Sequence, residues 1–379
     1  MTKHKLFNFY CKFLLGLQLL KLKLKFTNSR TPLMANLIIT NRCNLECFYC
    51  YVDVFNQENR IITPETLKEL VDTLYDRGTR LIVLLGGEPL MFKQIGEIIR
   101  YIKSKKMVCE LITNGYLVSK YLDDLALCDS VCVSVDGEEK GHDLNRGEGS
   151  YQKAIEAISI LQERDIPVRC KAVLTHNNQD SLEFLGQFAK ERGVMLTVSV
   201  AATYDDRDYH QKNNGQALST GGEWLEEYAK KNFFDDMLSL KEQGVPIGYS
   251  TKALNYIKKW PYDEDFIIKK DKTNHTKDFE PLYCKRKDNS LYIDSDGEMY
   301  PCAFQWKKNS KNVFKDGFDS AWENMSEYDC YACGSLPDID LSYMFNFNLE
   351  NIISAVKFYT LKSDDLRKPR LKVPSVKSV

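Results

Sequence analysis

The sequence predicts an α/β fold: six parallel strands, each followed by a helix, curl into a partial (β/α)6 barrel with a small cysteine-bearing extension behind it. Three observations lead there. Short apolar runs alternate with amphipathic runs from residue 34 to about residue 244, polar motifs follow the apolar runs, and the alternation stops near residue 260, ahead of a separate group of cysteines. An alternating β and α pattern argues a parallel sheet with right-handed crossovers, and motifs at C-terminal strand ends mark the catalytic face of such barrels.

The strands are read at 36–40, 80–85, 107–112, 130–135, 167–174 and 195–202. Between the first three, Leu67, Leu70, Val71 and Leu74, then Ile95, Ile98, Ile99 and Ile102, recur at the spacing of one helical face. Thr63 followed by Pro64 is an N-cap with proline in the first turn, and Gly78 closes that helix. Further helices are expected at 117–127, 150–164, 179–192 and 221–244. The motifs follow in strand order: a cysteine loop, Gly86-Gly87-Glu88-Pro89, Thr113-Asn114-Gly115, Asp136-Gly137 and Thr175-His176-Asn177.

Beyond the barrel, Pro261 to Lys277 is rich in charge and aromatics and reads as a linker or lid. Leu291 to Cys302 contains an Asp-Gly turn between two strand-like runs, a hairpin pattern. A last apolar segment, Leu341 to Phe358, reads as a helix, and the basic tail from Lys362 as disordered. The expected division is a basic amphipathic segment at 1–33, the barrel at 34–260, a cluster-binding unit at 261–340 and a terminal helix and tail at 341–379.

With 379 residues and 43% hydrophobic content, the chain can bury a substantial core. Eight Lys and Arg and no Asp or Glu precede Glu46, so the first 45 residues carry +8 against a whole-chain net charge of −1, leaving the remainder at −9. A basic front on an acidic body argues against nucleic-acid binding and for local attraction to an anionic surface. Leu6 to Leu20 is apolar but interrupted by Asn8, Lys12 and Gln18, too short and polar to span a bilayer, and no signal-peptide cleavage pattern precedes Cys43. It suits a helix lying in a membrane interface or one docked on its own domain. The expected location is cytoplasmic, with peripheral contact on the inner membrane face if the first alternative holds.

The twelve cysteines group by metal site better than by disulfide bridges: a triplet, Cys43, Cys47 and Cys50, and a quartet, Cys284, Cys302, Cys330 and Cys333. The singletons Cys11, Cys109, Cys128, Cys132 and Cys170 read as small buried side chains. Three thiolates with no fourth nearby suggest an iron centre with one open position; a zinc knuckle would need another ligand, and the next His downstream is His142.

The CxxxCxxC loop after the first strand, Tyr49 before its last cysteine, and Gly86-Gly87-Glu88-Pro89 after the second strand together resemble the radical S-adenosylmethionine (SAM) superfamily over about residues 34–203. The resemblance implies a 4Fe-4S cluster on Cys43, Cys47 and Cys50, with SAM chelating the open iron. An electron from a donor such as flavodoxin or ferredoxin would then cleave SAM to a 5′-deoxyadenosyl radical. It implies that Gly86, Gly87, Glu88 and Pro89 receive the methionyl ammonium, that Tyr49 lies beside the adenine, and that Ser134 and Asp136 contact the ribose or carboxylate. Arg146 is then a carboxylate clamp, or else a surface arginine.

Gly297 followed by four residues and Cys302, then CxxC at Cys330 and Cys333, resembles the SPASM and twitch extensions of that superfamily. The resemblance implies a second, auxiliary 4Fe-4S cluster; no cysteine follows Cys333, so one such cluster is expected, with a zinc ribbon as the competing reading. The auxiliary cluster would relay an electron to or from substrate. His142, His176, Asp205, Asp206 and Asp208 are candidate bases or solvated loop residues, and Tyr204 to Gly222 is a candidate substrate cover.

Three readings of the substrate follow. The first is a lipid or isoprenoid at a membrane surface, suggested by the basic apolar N-terminus and a layout that resembles the adenosylhopane synthase type. The second is a peptide or protein, as for many SPASM relatives, although the residues before the barrel are few for a separate peptide-recognition domain. The third is a non-catalytic iron–sulfur scaffold, which would have no need of Gly86-Gly87-Glu88-Pro89.

Overall fold

A computed structural model describes residues 30–47, 49–50, 52, 62–201, 232–260, 266–272, 279–305, 309–346 and 348–353. The N-terminal amphipathic segment with Cys11, the stretch Tyr204 to Gly222 with its three aspartates, and the tail from Lys362 lie outside the described residues.

Six strands run parallel and adjacent in sequence order: β1 Met34–Ile38, β2 Leu81–Leu85, β3 Val108–Thr113, β4 Ser130–Ser134, β5 Val168–Leu174 and β6 Met195–Val200. Strand β1 ends short of the predicted residue 40 because the chain turns there to serve β2. The Thr40 and Arg42 carbonyls accept the Gly87 and Glu88 N–H groups at 2.7 and 2.8 Å.

Helix α1, Pro64–Asp76, starts as predicted: the Thr63 hydroxyl accepts the Thr66 N–H at 3.2 Å, and Leu67, Leu70, Val71 and Leu74 are buried. Helix α2, Ile95–Ser104, buries Ile95, Ile98, Ile99 and Ile102. Each such side chain contributes about 1.5–3 kcal/mol as an upper bound. The helix expected at 117–127 is a 3₁₀ turn, Val118–Lys120, followed by α3, Leu122–Leu125. Helix α4, Glu139–Arg146, was not predicted; α5, Ser150–Glu163, α6, Leu182–Arg192, and α7, Phe234–Glu242, fall inside predicted ranges.

Alternation along the strands separates two faces. Cys109, Leu111, Val131, Val133, Cys170, Ala172, Leu196 and Val198 pack into the layer shared with the helices. Glu110, Cys132, Ser134, Arg169, Lys171 and Thr197 therefore line the barrel interior. Cys109, Cys128, Cys132 and Cys170 are all buried, as expected of the singletons.

The C-terminal extension continues the same sheet. The short strand Ile267–Lys269, β7, precedes it; Ser290–Ile293, β8, pairs parallel with β1, and β9, Glu298–Tyr300, and β10, Lys311–Asn312, follow antiparallel. The predicted hairpin is present, with Gly297 at φ +90° in the turn. Strand β7 lies inside the stretch read as a linker or lid; it pairs antiparallel with β11, Cys330–Cys333. Helix α8 spans Leu336–Phe345, begins ahead of the predicted Leu341 with proline in its first turn, and crosses residue 340; a separate helical stretch at 349–353 follows, so the single helix expected over 341–358 is interrupted. Arg30 and Thr31 bind this extension, Arg30 donating to the Lys287 and Trp322 carbonyls at 2.9 and 3.0 Å.

Candidate functional site

The cysteine triplet sits on the loop leaving β1, held from two sides. Within the loop the Cys50 N–H donates to the Cys47 carbonyl at 3.0 Å and the Leu45 N–H to Cys43 Sγ at 3.4 Å. From β3, Asn114 Nδ2 donates to Asn44 Oδ1 at 2.9 Å and lies 3.9 Å from Cys43 Sγ. The glycine pair after β2 has a steric cause: a Cβ on Gly87 would stand 2.5 Å from the Arg42 carbonyl oxygen. Burial pushes the Cys43 thiol up to about 11 and Cys50 up to about 12, and raises Cys47 against the opposing pull of Arg146. Iron binding would therefore displace protons from all three.

Glu88 is 1% exposed, and its carboxylate braces the motif internally. It accepts from the Leu90 N–H at 3.1 Å, the Thr113 hydroxyl at 2.8 Å and the Asn114 N–H at 2.8 Å. Burial raises its pKa to about 7 even against those three donors. The carboxylate expected to meet the methionyl ammonium of SAM thus also ties the ends of β2 and β3 together.

Beside the triplet, three side chains, Tyr49, Asp136 and Arg146, form one cluster. Arg146, from the unpredicted helix α4, makes a bidentate pair with Asp136, Nε to Oδ2 at 2.8 Å and Nη2 to Oδ1 at 3.0 Å. The Tyr49 hydroxyl donates to Asp136 Oδ2 at 2.6 Å, and the Arg146 guanidinium lies 5.5 Å from the Tyr49 ring centre. Burial pushes the Asp136 carboxyl up, but Arg146 outweighs it and holds the group below the usual carboxylate range. Arg146 is also the strongest cationic neighbour of the Cys47 thiol, whose pKa it pulls down against the larger effect of burial. It is therefore an interior cation joining two motifs, not a surface arginine. Ser134, at the end of β4, is buried beside Lys171 of β5 in strand register.

A second layer fixes this cluster. The Asp136 N–H donates to His142 Nδ1 at 3.1 Å, and the Val173 N–H donates to Asp136 Oδ1 at 3.0 Å. Asn178 Nδ2 donates to the Asp136 and Val173 carbonyls at 2.5 and 2.9 Å. Burial lowers the His142 pKa to about 4, which leaves a neutral supporting imidazole at pH 7. Asn178 was missed in the sequence; its Asn-Asn-Gln-Asp setting looks like ordinary loop chemistry. The interior pair Glu110–Arg169, 3.4 Å apart, was missed as well, because single charges in apolar strands reveal nothing of their partners.

The quartet converges in the extension. Cys333 and Cys284 are each other's strongest influence, which raises the first thiol and lowers the second, and Cys302 and Cys330 both lie within electrostatic range of Cys284. Burial raises Cys302 and pushes Cys330 up to about 11. Two buried cations flank the set: Arg286, paired with Asp338, and Lys287. Among the described residues no group of three or more His, Cys, Asp or Glu side chains closes on a single ion. A set of thiols with cationic neighbours fits a negatively charged iron–sulfur cluster.

Known proteins agree with both halves. Residues 37–189 match the radical SAM superfamily, and residues 284–344 match SPASM, an iron–sulfur cluster-binding domain. The Fe-coproporphyrin III synthase of Methanosarcina barkeri is 25% identical over 315 residues, covering 80% of this chain and 76% of the relative. The antilisterial bacteriocin subtilosin biosynthesis protein AlbA of Bacillus subtilis is 25% identical over 311 residues, 77% of this chain and 60% of the longer relative. Streptococcus suis SuiB bound to precursor peptide SuiA shares the fold, with a TM-score of 0.57 at 20% identity, over 79% of this chain and 66% of SuiB. The two cysteine sites, the strand-end motifs and these matches together make the chain an enzyme of the radical SAM superfamily with a C-terminal SPASM domain, and so one that uses a 4Fe-4S cluster, SAM and auxiliary iron–sulfur chemistry.

Proposed function

We propose that the enzyme modifies a peptide or protein substrate at the mouth of its barrel. The observation that carries this is the likeness across both domains to SuiB with its precursor peptide bound, joined by the AlbA relative. When bound on Cys43, Cys47 and Cys50, the cluster and SAM supply a 5′-deoxyadenosyl radical. Tyr49, Gly86, Gly87, Glu88, Pro89, Ser134, Asp136 and Arg146 would hold SAM, with Arg146 and Asp136 locked together to keep the adenine-side wall rigid. Cys284, Cys302, Cys330 and Cys333 would hold the auxiliary cluster. Glu110 and Arg169 neutralise each other inside the barrel, whereas Lys171 makes no ion pair among the described residues, so a substrate carboxylate has a partner there.

A second reading, a carboxylate-bearing tetrapyrrole, is favoured by the Methanosarcina relative, three quarters of whose length is matched. The lipid reading has less support: neither the SuiB structure nor either relative matched over most of this chain is named for work on a lipid.

The test is anaerobic turnover of the reconstituted enzyme with SAM, reductant and one of three substrate sets. These are peptides encoded by short reading frames beside its gene, iron-coproporphyrin, and a total lipid extract. The peptide reading expects 5′-deoxyadenosine release with a mass change in a peptide. A mass change confined to the tetrapyrrole or lipid set would overturn it.

A further inference from the structure

Lys287 is 3% exposed, yet nothing negative touches it. Its ammonium donates to the Tyr328 and Cys330 carbonyls at 3.1 and 2.8 Å and lies 5.4 Å from the Tyr283 ring centre. Nearby charges are committed elsewhere: Arg286 to Asp338, and Asp288 to Lys285 at 3.3 Å and Arg30 at 3.8 Å. An ammonium buried without a counter-ion is expensive, and proteins keep one only where something compensates it. Its acidic electrostatic neighbours are Cys330, Asp288 and Cys284, and with Asp288 already held by two other cations the groups left to do so are the two cysteines.

We propose that Lys287 is the countercharge of the auxiliary cluster and sets its reduction potential. A cluster held by four thiolates is an anion whose charge grows by one on reduction. A fixed cation in a low-dielectric setting stabilises the reduced state more than the oxidised one and makes the cluster easier to reduce. Arg286 cannot do this alone, because Asp338 cancels its charge at close range. The hydrogen bond to the Cys330 carbonyl fixes the ammonium to the backbone of a ligand, so the distance from charge to cluster is built into the strand. The inference rests on the quartet holding a cluster and is independent of the substrate.

The test uses the full chain carrying Cys43→Ala, Cys47→Ala and Cys50→Ala, so that the auxiliary site alone takes up iron. Iron content is read first: absence of iron would count against the cluster itself and not against Lys287. An EPR-monitored redox titration then compares Lys287 with Lys287→Gln, which keeps a donor but loses the charge, and Lys287→Arg, which keeps the charge. The expected result is that Lys287→Gln lowers the midpoint by at least the 59 mV that a tenfold one-electron change represents, while Lys287→Arg stays within that margin. An unchanged midpoint in Lys287→Gln, or an equal fall in both variants, would overturn the proposal. Should Lys287→Gln fail to retain iron while Lys287→Arg retains it, the need for charge stands; failure of both would show a role of shape alone and overturn it.

Discussion

Arg146 grips Asp136 through two parallel hydrogen bonds at a position where Asp136 is 0% exposed. The sequence offered these residues as separate SAM contacts, and the structure joins them into one unit that also receives the Tyr49 hydroxyl and reaches Cys47. A charge-assisted fork of this kind is strong and directional, and it ties helix α4 to the cysteine loop.

Breaking the fork should therefore be felt in stability as well as binding. Asp136→Asn leaves the Arg146 charge buried and unpaired, a loss of roughly 3–5 kcal/mol in denaturant unfolding. Removing both charges, with Asp136→Asn and Arg146→Met together, should recover part of that loss. A double variant as unstable as the sum of its singles would show that the two residues do not act as a pair.

Gly87 makes a steric prediction. Because its Cβ would meet the Arg42 carbonyl oxygen at 2.5 Å and the Asn41 carbonyl oxygen at 2.7 Å, Gly87→Ala must push the cysteine loop away from β2. Reconstituted Gly87→Ala should lose most of the iron of the first site and keep that of the quartet, as Mössbauer spectroscopy can count. Full iron retention would mean that the loop has slack the packing does not suggest.

The two cysteine sites are expected to load separately. Wild-type protein should take up about eight irons per chain if each site holds a cubane, and Cys284→Ala or Cys47→Ala should each reduce this by about four. Cys47→Ala should also abolish 5′-deoxyadenosine release, while the quartet's spectrum remains. About four irons with one zinc in the wild type would return the quartet to the zinc-ribbon reading.

How much of this was legible depended on which signal each element carries. The helices α1 and α2 announce themselves because their buried faces are leucine and isoleucine at helical spacing. Helix α4 does not: its buried residues are Gly141, His142 and Asn145, and Leu144 is 57% exposed, so hydrophobic periodicity is silent on the element that delivers Arg146. Strand β7 is three residues long in a charged stretch, and only its distant partner at Cys330–Cys333 makes it a strand. The triplet and the quartet were readable as groups because cysteine spacing is covalent information. The cations beside the quartet were not, since a Lys-Arg-Lys run after Cys284 reads as solvated surface until packing buries two of the three.

Glu88 gives a pH dependence whose sign follows from its burial. Its folded pKa of about 7 lies above the ordinary value of 4.5, so between those limits the folded state binds more protons than the unfolded chain. Stability from this group is fully present below about pH 4.5 and is lost as pH rises through about 7, in all by about 3 kcal/mol at 1.36 kcal/mol per unit. The three donors on the carboxylate oppose this by favouring the ionised form, and burial outweighs them. SAM would reverse the balance, because an ammonium beside Glu88 favours the carboxylate; SAM affinity should then rise across the same interval in which the free protein weakens. Denaturant unfolding from pH 5 to 8 and SAM titrations over that range check both slopes, and Glu88→Gln should flatten both. If SAM affinity in the wild type stays level while Glu88→Gln still flattens the stability curve, Glu88 is a brace between β2 and β3 and not a ligand for the ammonium.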